Sequence, residues 1–174
     1  FVFADGPRNA LERKLRKEVL DQFKHLPWPT SLHIEASSEN IGIRKRISSG
    51  LDFVFQNETR AIILEDDCVA HPDFFKYCTC LLNRYEQDER IMHIGGNNYL
   101  RGRQTTPYSY YFSRHTHCWG WATWARAWKH FDRNLKHWEE FKQKRGMADV
   151  SNTQLEENYF MRCMQSVADG ETDS

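Results

Sequence analysis

The sequence predicts an α/β fold built on a mainly parallel sheet with helices on both sides. Strand-like and helix-spaced segments alternate through the first half of the chain, as βαβ units do. The apolar run Ala61-Ile62-Ile63-Leu64 reads as a buried strand and gives way at once to Glu65-Asp66-Asp67. Three consecutive carboxylates then stand at a strand's C-terminal end, where open α/β sheets place their ligands. A length of 174 residues suits one domain with one core.

Each element has its own warrant. Phe1-Val2-Phe3-Ala4 is strand-like and runs into the turn Asp5-Gly6-Pro7-Arg8. A chain that opens inside a strand predicts a first βα unit upstream of Phe1. Leu11, Leu15, Val19, Leu20 and Phe23 recur at helical spacing until Pro27-Trp28-Pro29 breaks the pattern. Leu32 to Ala36 alternates as a strand, and a polar loop over 37–42 follows. Ile43, Ile47, Leu51, Val54 and Phe55 then mark a helix whose first turn carries Arg44 and Lys45. Cations at a helix N-terminus oppose its dipole, so the pattern asks for an anion such as a diphosphate; a basic but idle helix start is the other reading.

After the acidic strand end, His71-Pro72-Asp73 opens a helix with Phe74, Phe75, Cys78, Leu81, Leu82 and Tyr85 on one face. Ile91 to Ile94 predicts a strand that ends in Gly95-Gly96-Asn97-Asn98, a loop expected to border the same cleft as the acids. Tyr108 to Ser113 predicts one more strand. Trp121, Trp124 and Trp128 fall at helical spacing, which fits either core packing or stacking on a sugar ring. The last helix spans about 154–167, with Leu155, Tyr159, Phe160, Cys163, Met164 and Val167 as its buried face.

Lys plus Arg and Asp plus Glu each number 24, so the charge balance argues against nucleic-acid binding and against an acidic-membrane footprint. The 5 cysteines include no CxxC pair and read as thiols of a reducing, cytoplasmic compartment. No apolar run approaches the ~20 residues a membrane span needs, and the opening apolar residues are too few for a signal peptide. His115-Thr116-His117-Cys118 lacks a second Cys/His pair at zinc-site spacing, although His117 could still touch the cleft.

Three acids side by side repel one another unless a cation sits among them, and their oxygens suit a hard divalent ion, Mn²⁺ or Mg²⁺. The stretch from Ile63 through Glu65-Asp66-Asp67 and His71-Pro72-Asp73 to Tyr77 resembles the acidic, DXD-like segment of GT-A-fold glycosyltransferases. It is similar to the N-acetylglucosaminyltransferase I type and to bacterial family 2 transferases.

The resemblance implies a three-layer GT-A sandwich over residues 1–174, a single catalytic domain lacking its first βα unit and C-terminal segment. It implies that Asp5, in Phe3-Ala4-Asp5-Gly6, reads the nucleobase. It places Asn40 and Arg44 at the helix start facing the diphosphate, and Gly120 and Trp121 on the donor and acceptor side. Asp67 would ligate the metal, Asp66 would contact the ribose or the metal shell, and Glu65 would hold the donor sugar. The activity implied is inverting hexosyl or N-acetylhexosaminyl transfer from a nucleotide-sugar, UDP-sugar favoured, to a glycan or lipid-linked saccharide. The catalytic base would lie beyond Ser174, with Asp173 and Glu157 as in-chain alternatives. A sugar-phosphate nucleotidyltransferase, a receiver-like Mg²⁺-binding module and a non-catalytic carbohydrate-binding module remain as competing readings.

Overall fold

The computed structural model describes residues 1–100, 103 and 106–172. It is a mixed α/β structure that divides into two compact units, Phe1–Val54 with Cys163–Ser174, and Phe55–Arg162. The first carries a two-stranded parallel sheet and the second a three-stranded antiparallel one. Parallel pairing is thus confined to the first unit, against the expectation of a mainly parallel sheet.

In the first unit β1 (Val2–Ala4) and β2 (Ile34–Ala36) pair in the register Val2↔Ile34, Phe3↔Glu35 and Ala4↔Ala36. Helix α1 (Ala10–Gln22) connects them, the crossover that parallel strands require. Asn9 caps α1 by accepting the Glu12 N–H at 2.9 Å, while the Glu12 carboxylate reaches back to the Arg8 N–H at 2.7 Å, a capping-box variant. Arg16 ties the strand ends together, its guanidinium donating to the carbonyls of Asp5 at 3.1 Å and Ser37 at 2.5 Å.

Helix α2 (Ile43–Asn57) buries Leu51 and Val54. A Cβ on Gly50 would stand 2.9 Å from the Phe3 ring, so glycine is what lets α2 approach β1 this closely. Arg46 is buried beside them, paired with Glu35 at 2.9 Å and lying 5.4 Å from the centre of the Phe3 ring.

In the second unit the strand order is β3 (Arg60–Ile63), β5 (Trp121–Trp124), β4 (Ile94–Gly95). Ile63 pairs with Trp121 on one side of β5, and Gly95 pairs with Trp121 on the other. The helical spacing of Trp121, Trp124 and Trp128 therefore misleads: the first two lie on the central strand, and only Trp128 is helical, closing the short α4 (Ala125–Trp128). The central strand has neighbours on both edges, and packing on it leaves no clean alternation to read.

Helix α3 (Pro72–Arg84) packs Cys78, Leu81 and Leu82 with Ile94, Ala122 and Trp124 as the core. His71 caps it through Nδ1, which accepts the Asp73 N–H at 3.2 Å, and Pro72 takes the first helical position. Trp124 is 2% exposed and donates its indole N–H to the Leu82 carbonyl at 3.1 Å. Arg126 stacks over that indole at 4.3 Å and donates to the carbonyls of Tyr85, Glu86 and Ile91, tying down the C-terminal end of α3 and the turn after it.

The stretch 108–113 forms no strand; Tyr110 instead meets Tyr85 through a 2.6 Å hydroxyl contact. Helices α5 (Trp138–Gln143), α6 (Gly146–Val150) and α7 (Gln154–Ala168) complete the chain. The expected buried face of α7 is not buried: Leu155 is 77% and Tyr159 56% exposed.

Candidate functional site

The acidic residues stand where the sequence places them, on a tight turn at the end of β3. The Cys68 N–H donates to the Glu65 carbonyl at 3.1 Å and closes a β-turn with Asp66 and Asp67 at its tip. Both tip carboxylates are exposed, and Glu65 is half-buried. Burial pushes the Glu65 carboxyl above its ordinary range, and the neighbouring charges of Asp67 and then Asp66 push it further. The Cys118 thiol hydrogen-bonds to it from the loop before β5 and moderates the shift.

Among the described residues no group of three or more His, Cys, Asp or Glu side chains is arranged to hold a metal ion, and no ion pair involves Asp66 or Asp67. Their all-oxygen donor set and the mutual repulsion that Glu65 registers fit Mn²⁺ or Mg²⁺. The latter is commonly held by one or two carboxylates, with phosphate and water completing the shell.

Two glycines let the neighbouring loops pack closely. Gly120 has φ +74°, and a Cβ there would stand 3.4 Å from both Leu64 and Phe74. The Gly96 N–H donates to the Gly120 carbonyl at 2.8 Å, joining the loop after β4 to the loop before β5. Trp121 follows, its indole stacked on His93 at 5.0 Å and 17°. Burial holds the His93 imidazole below its ordinary range, and its Nε2 lies 3.0 Å from the His117 carbonyl, a contact that places the proton on Nε2.

Around these loops opens a cleft of about 1350 Å³, lined among others by Asp67, His71, Gly95, Asn97, His117 and Trp119. The expectation that the Gly95–Asn98 loop borders the same cleft as the acids is met at Asp67.

The other predicted contacts lie in the first unit and are engaged by protein groups. Asp5 accepts N–H groups from Gly6 at 2.8 Å, Ile41 at 3.0 Å and Gly42 at 3.1 Å. Asn40 donates its amide to the Gly6 carbonyl at 3.1 Å. A Cβ on Gly6 would fall 2.0 Å from the Glu39 backbone, so these two loops interlock. Arg44 donates to the Val167 carbonyl at 3.4 Å, a cation at the end of α7.

Of the alternatives for the base, Glu157 faces Arg145 at 3.7 Å and accepts from Gln154 at 3.1 Å, and Asp173 lies outside the described residues. The meeting of Cys118 with Glu65 had no signal in the sequence, because nothing local links the two loops. All 5 cysteines are free, and no helix among the described residues is long and apolar enough to cross a membrane.

Comparison with known proteins finds no match: no family model, no curated protein and no solved structure aligns significantly with the chain.

Proposed function

We propose that the chain carries the catalytic region of a metal-dependent glycosyltransferase that moves a sugar from a nucleotide-sugar to a saccharide hydroxyl. The observation that carries the reading is the exposed Asp66-Asp67 turn at the end of β3, with Asp67 lining a cleft and the Glu65 carboxyl raised by burial and then by the charges of Asp67 and Asp66. The likeness of the segment around these acids to the GT-A acidic motif supports it.

Asp66 and Asp67 would hold Mn²⁺ or Mg²⁺, which when bound supplies positive charge to a diphosphate leaving group. Glu65, less exposed and more readily protonated, is suited to hydrogen-bond a donor hydroxyl. The Gly96 and Gly120 backbones line the cleft, and beside them Trp121 stacks on His93.

Titration calorimetry with UDP tests the reading. Binding is expected with Mn²⁺ present and to disappear with EDTA or in Asp67→Asn, and UDP affinity unchanged by EDTA would sink it.

A further inference from the structure

We propose that His115 is a proton acceptor built into the cleft, its Nδ1 presented to the ligand and its Nε2 backed by Glu156. Its assignment to a saccharide hydroxyl rests on the transferase function proposed above; the placement of the imidazole does not. The ring lines the cleft that Asp67 also lines, and the side chain is 27% exposed. Its two nitrogens have opposite surroundings. Nε2 is shielded from solvent and stands 3.0 Å from Glu156 Oε1, close enough for an ion pair although not aligned as a hydrogen bond. Nδ1 is not shielded in that way and takes no hydrogen bond among the described residues.

The first turns of α7 hold the ring in this orientation. Glu156 and Phe160, four residues apart, lie on one face of the helix. The Phe160 ring stacks on the imidazole at 5.2 Å and 21°. The Glu156 carboxylate is itself anchored: Oε2 accepts the Asn152 N–H at 2.7 Å and its side-chain amide at 3.3 Å, which leaves Oε1 for His115. The Asn152 N–H holds that carboxyl below its ordinary range, so it meets the imidazole as an anion. Of the other charged groups on these elements, Arg114 donates to the Asp149 carbonyl at 2.8 Å and Glu157 faces Arg145 at 3.7 Å. Two further imidazoles of the cleft are committed elsewhere, His71 Nδ1 to the cap of α3 and His93 Nε2 to the His117 carbonyl.

A carboxylate beside Nε2 favours the proton on that nitrogen and leaves the Nδ1 lone pair free, which is what a general base requires. As the acceptor oxygen bonds the anomeric carbon, its proton passes to Nδ1. The bond from that carbon to the diphosphate oxygen breaks, and its electron pair leaves with the nucleoside diphosphate. Glu156, a positioning residue, stabilises the imidazolium that forms, which then gives its proton to water. Contacts of this kind often align only when substrate is bound.

Two-bond proton–nitrogen correlation NMR of the histidine rings, without metal or nucleotide, tests the geometry. The neutral His115 ring is expected as the Nε2–H tautomer with Nδ1 bare. A second experiment follows UDP release from UDP-glucose, UDP-galactose and UDP-N-acetylglucosamine, with Mn²⁺ and the methyl β-glycosides of the same sugars as acceptors. His115→Ala is expected to lower release by roughly 100-fold or more, with partial recovery in added imidazole and UDP binding unchanged. Glu156→Gln, which keeps the shape of the side chain, is expected to lower kcat by roughly tenfold or more at unchanged KM. An Nδ1–H tautomer, release unaffected by either variant, or a parent chain that binds UDP with Mn²⁺ yet releases none overturns the proposal. A parent chain that binds no UDP fails the transferase reading instead, and the tautomer then decides alone whether His115 presents a base.

Discussion

The backbone N–H of Gly96 donates to the carbonyl of Gly120 at 2.8 Å, and the ring of Phe74 fills the space beside both residues. A Cβ on Gly96 would lie 2.3 Å from Phe74 Cε2 and 2.7 Å from the Gly120 oxygen. Gly96→Ala therefore forces the two loops apart or displaces Phe74, at about 1–3 kcal/mol for overpacking. Urea denaturation should show that loss. Adding Phe74→Leu should recover part of it, and no recovery would place the strain in the backbone contact.

His93 makes stability depend on pH. Its folded basicity is depressed by burial, so the unfolded chain takes up a proton first as pH falls. The contribution is fully present above the unfolded value of ~6.5 and is lost as pH drops through the window below it. The Tm of the parent chain should fall more steeply from neutral to mildly acidic pH than that of His93→Gln. Parallel pH curves for the two would dissociate the effect from this residue.

Much of the helical framework was legible. The periodic segment beginning after Asn9 is α1, and His71-Pro72 marks the start of α3 because cap and first-turn chemistry are local. The acidic turn was legible for the same reason, an abrupt change from apolar to charged at a strand end. Sheet pairing was not. β5 joins β3 to β4 through contacts distant in sequence, and Trp121 and Trp124 fit helical spacing as well as a strand running into a helix. The Tyr108–Ser113 stretch has strand composition but gains hydroxyl and ring contacts in place of a ladder partner. The resemblance alone makes ligand contacts of Asp5 and Asn40; the protein groups that engage them, on Gly6, Ile41 and Gly42, meet them through the folding of two loops distant in sequence.

Glu35 and Arg46 should respond unequally to truncation. Arg46 is 7% exposed and its Nε has no partner among the described residues, so Glu35 supplies its carboxylate neighbour. Glu35→Leu leaves a buried guanidinium without that partner and is expected to cost about 2–4 kcal/mol, whereas Arg46→Met keeps the packing on Phe3 and should cost less. Chemical denaturation of both variants checks the order, and the reverse order would refute it.

Cys78 should be the slowest thiol. It is fully buried, and burial pushes it up to about 11, while Cys80 and Cys163 are exposed. Iodoacetamide labelling at mildly alkaline pH, mapped by mass spectrometry, should modify the latter two long before Cys78. Early labelling of Cys78 would mean that α3 opens readily.

The carboxylate of Asp5 gathers the amide hydrogens of Gly6, Ile41 and Gly42 onto one side chain. Those three protons therefore share a single latch. They would trade with deuterium at linked rates, and one carboxylate rotation would release the loop after β1 and the loop before α2 in the same event.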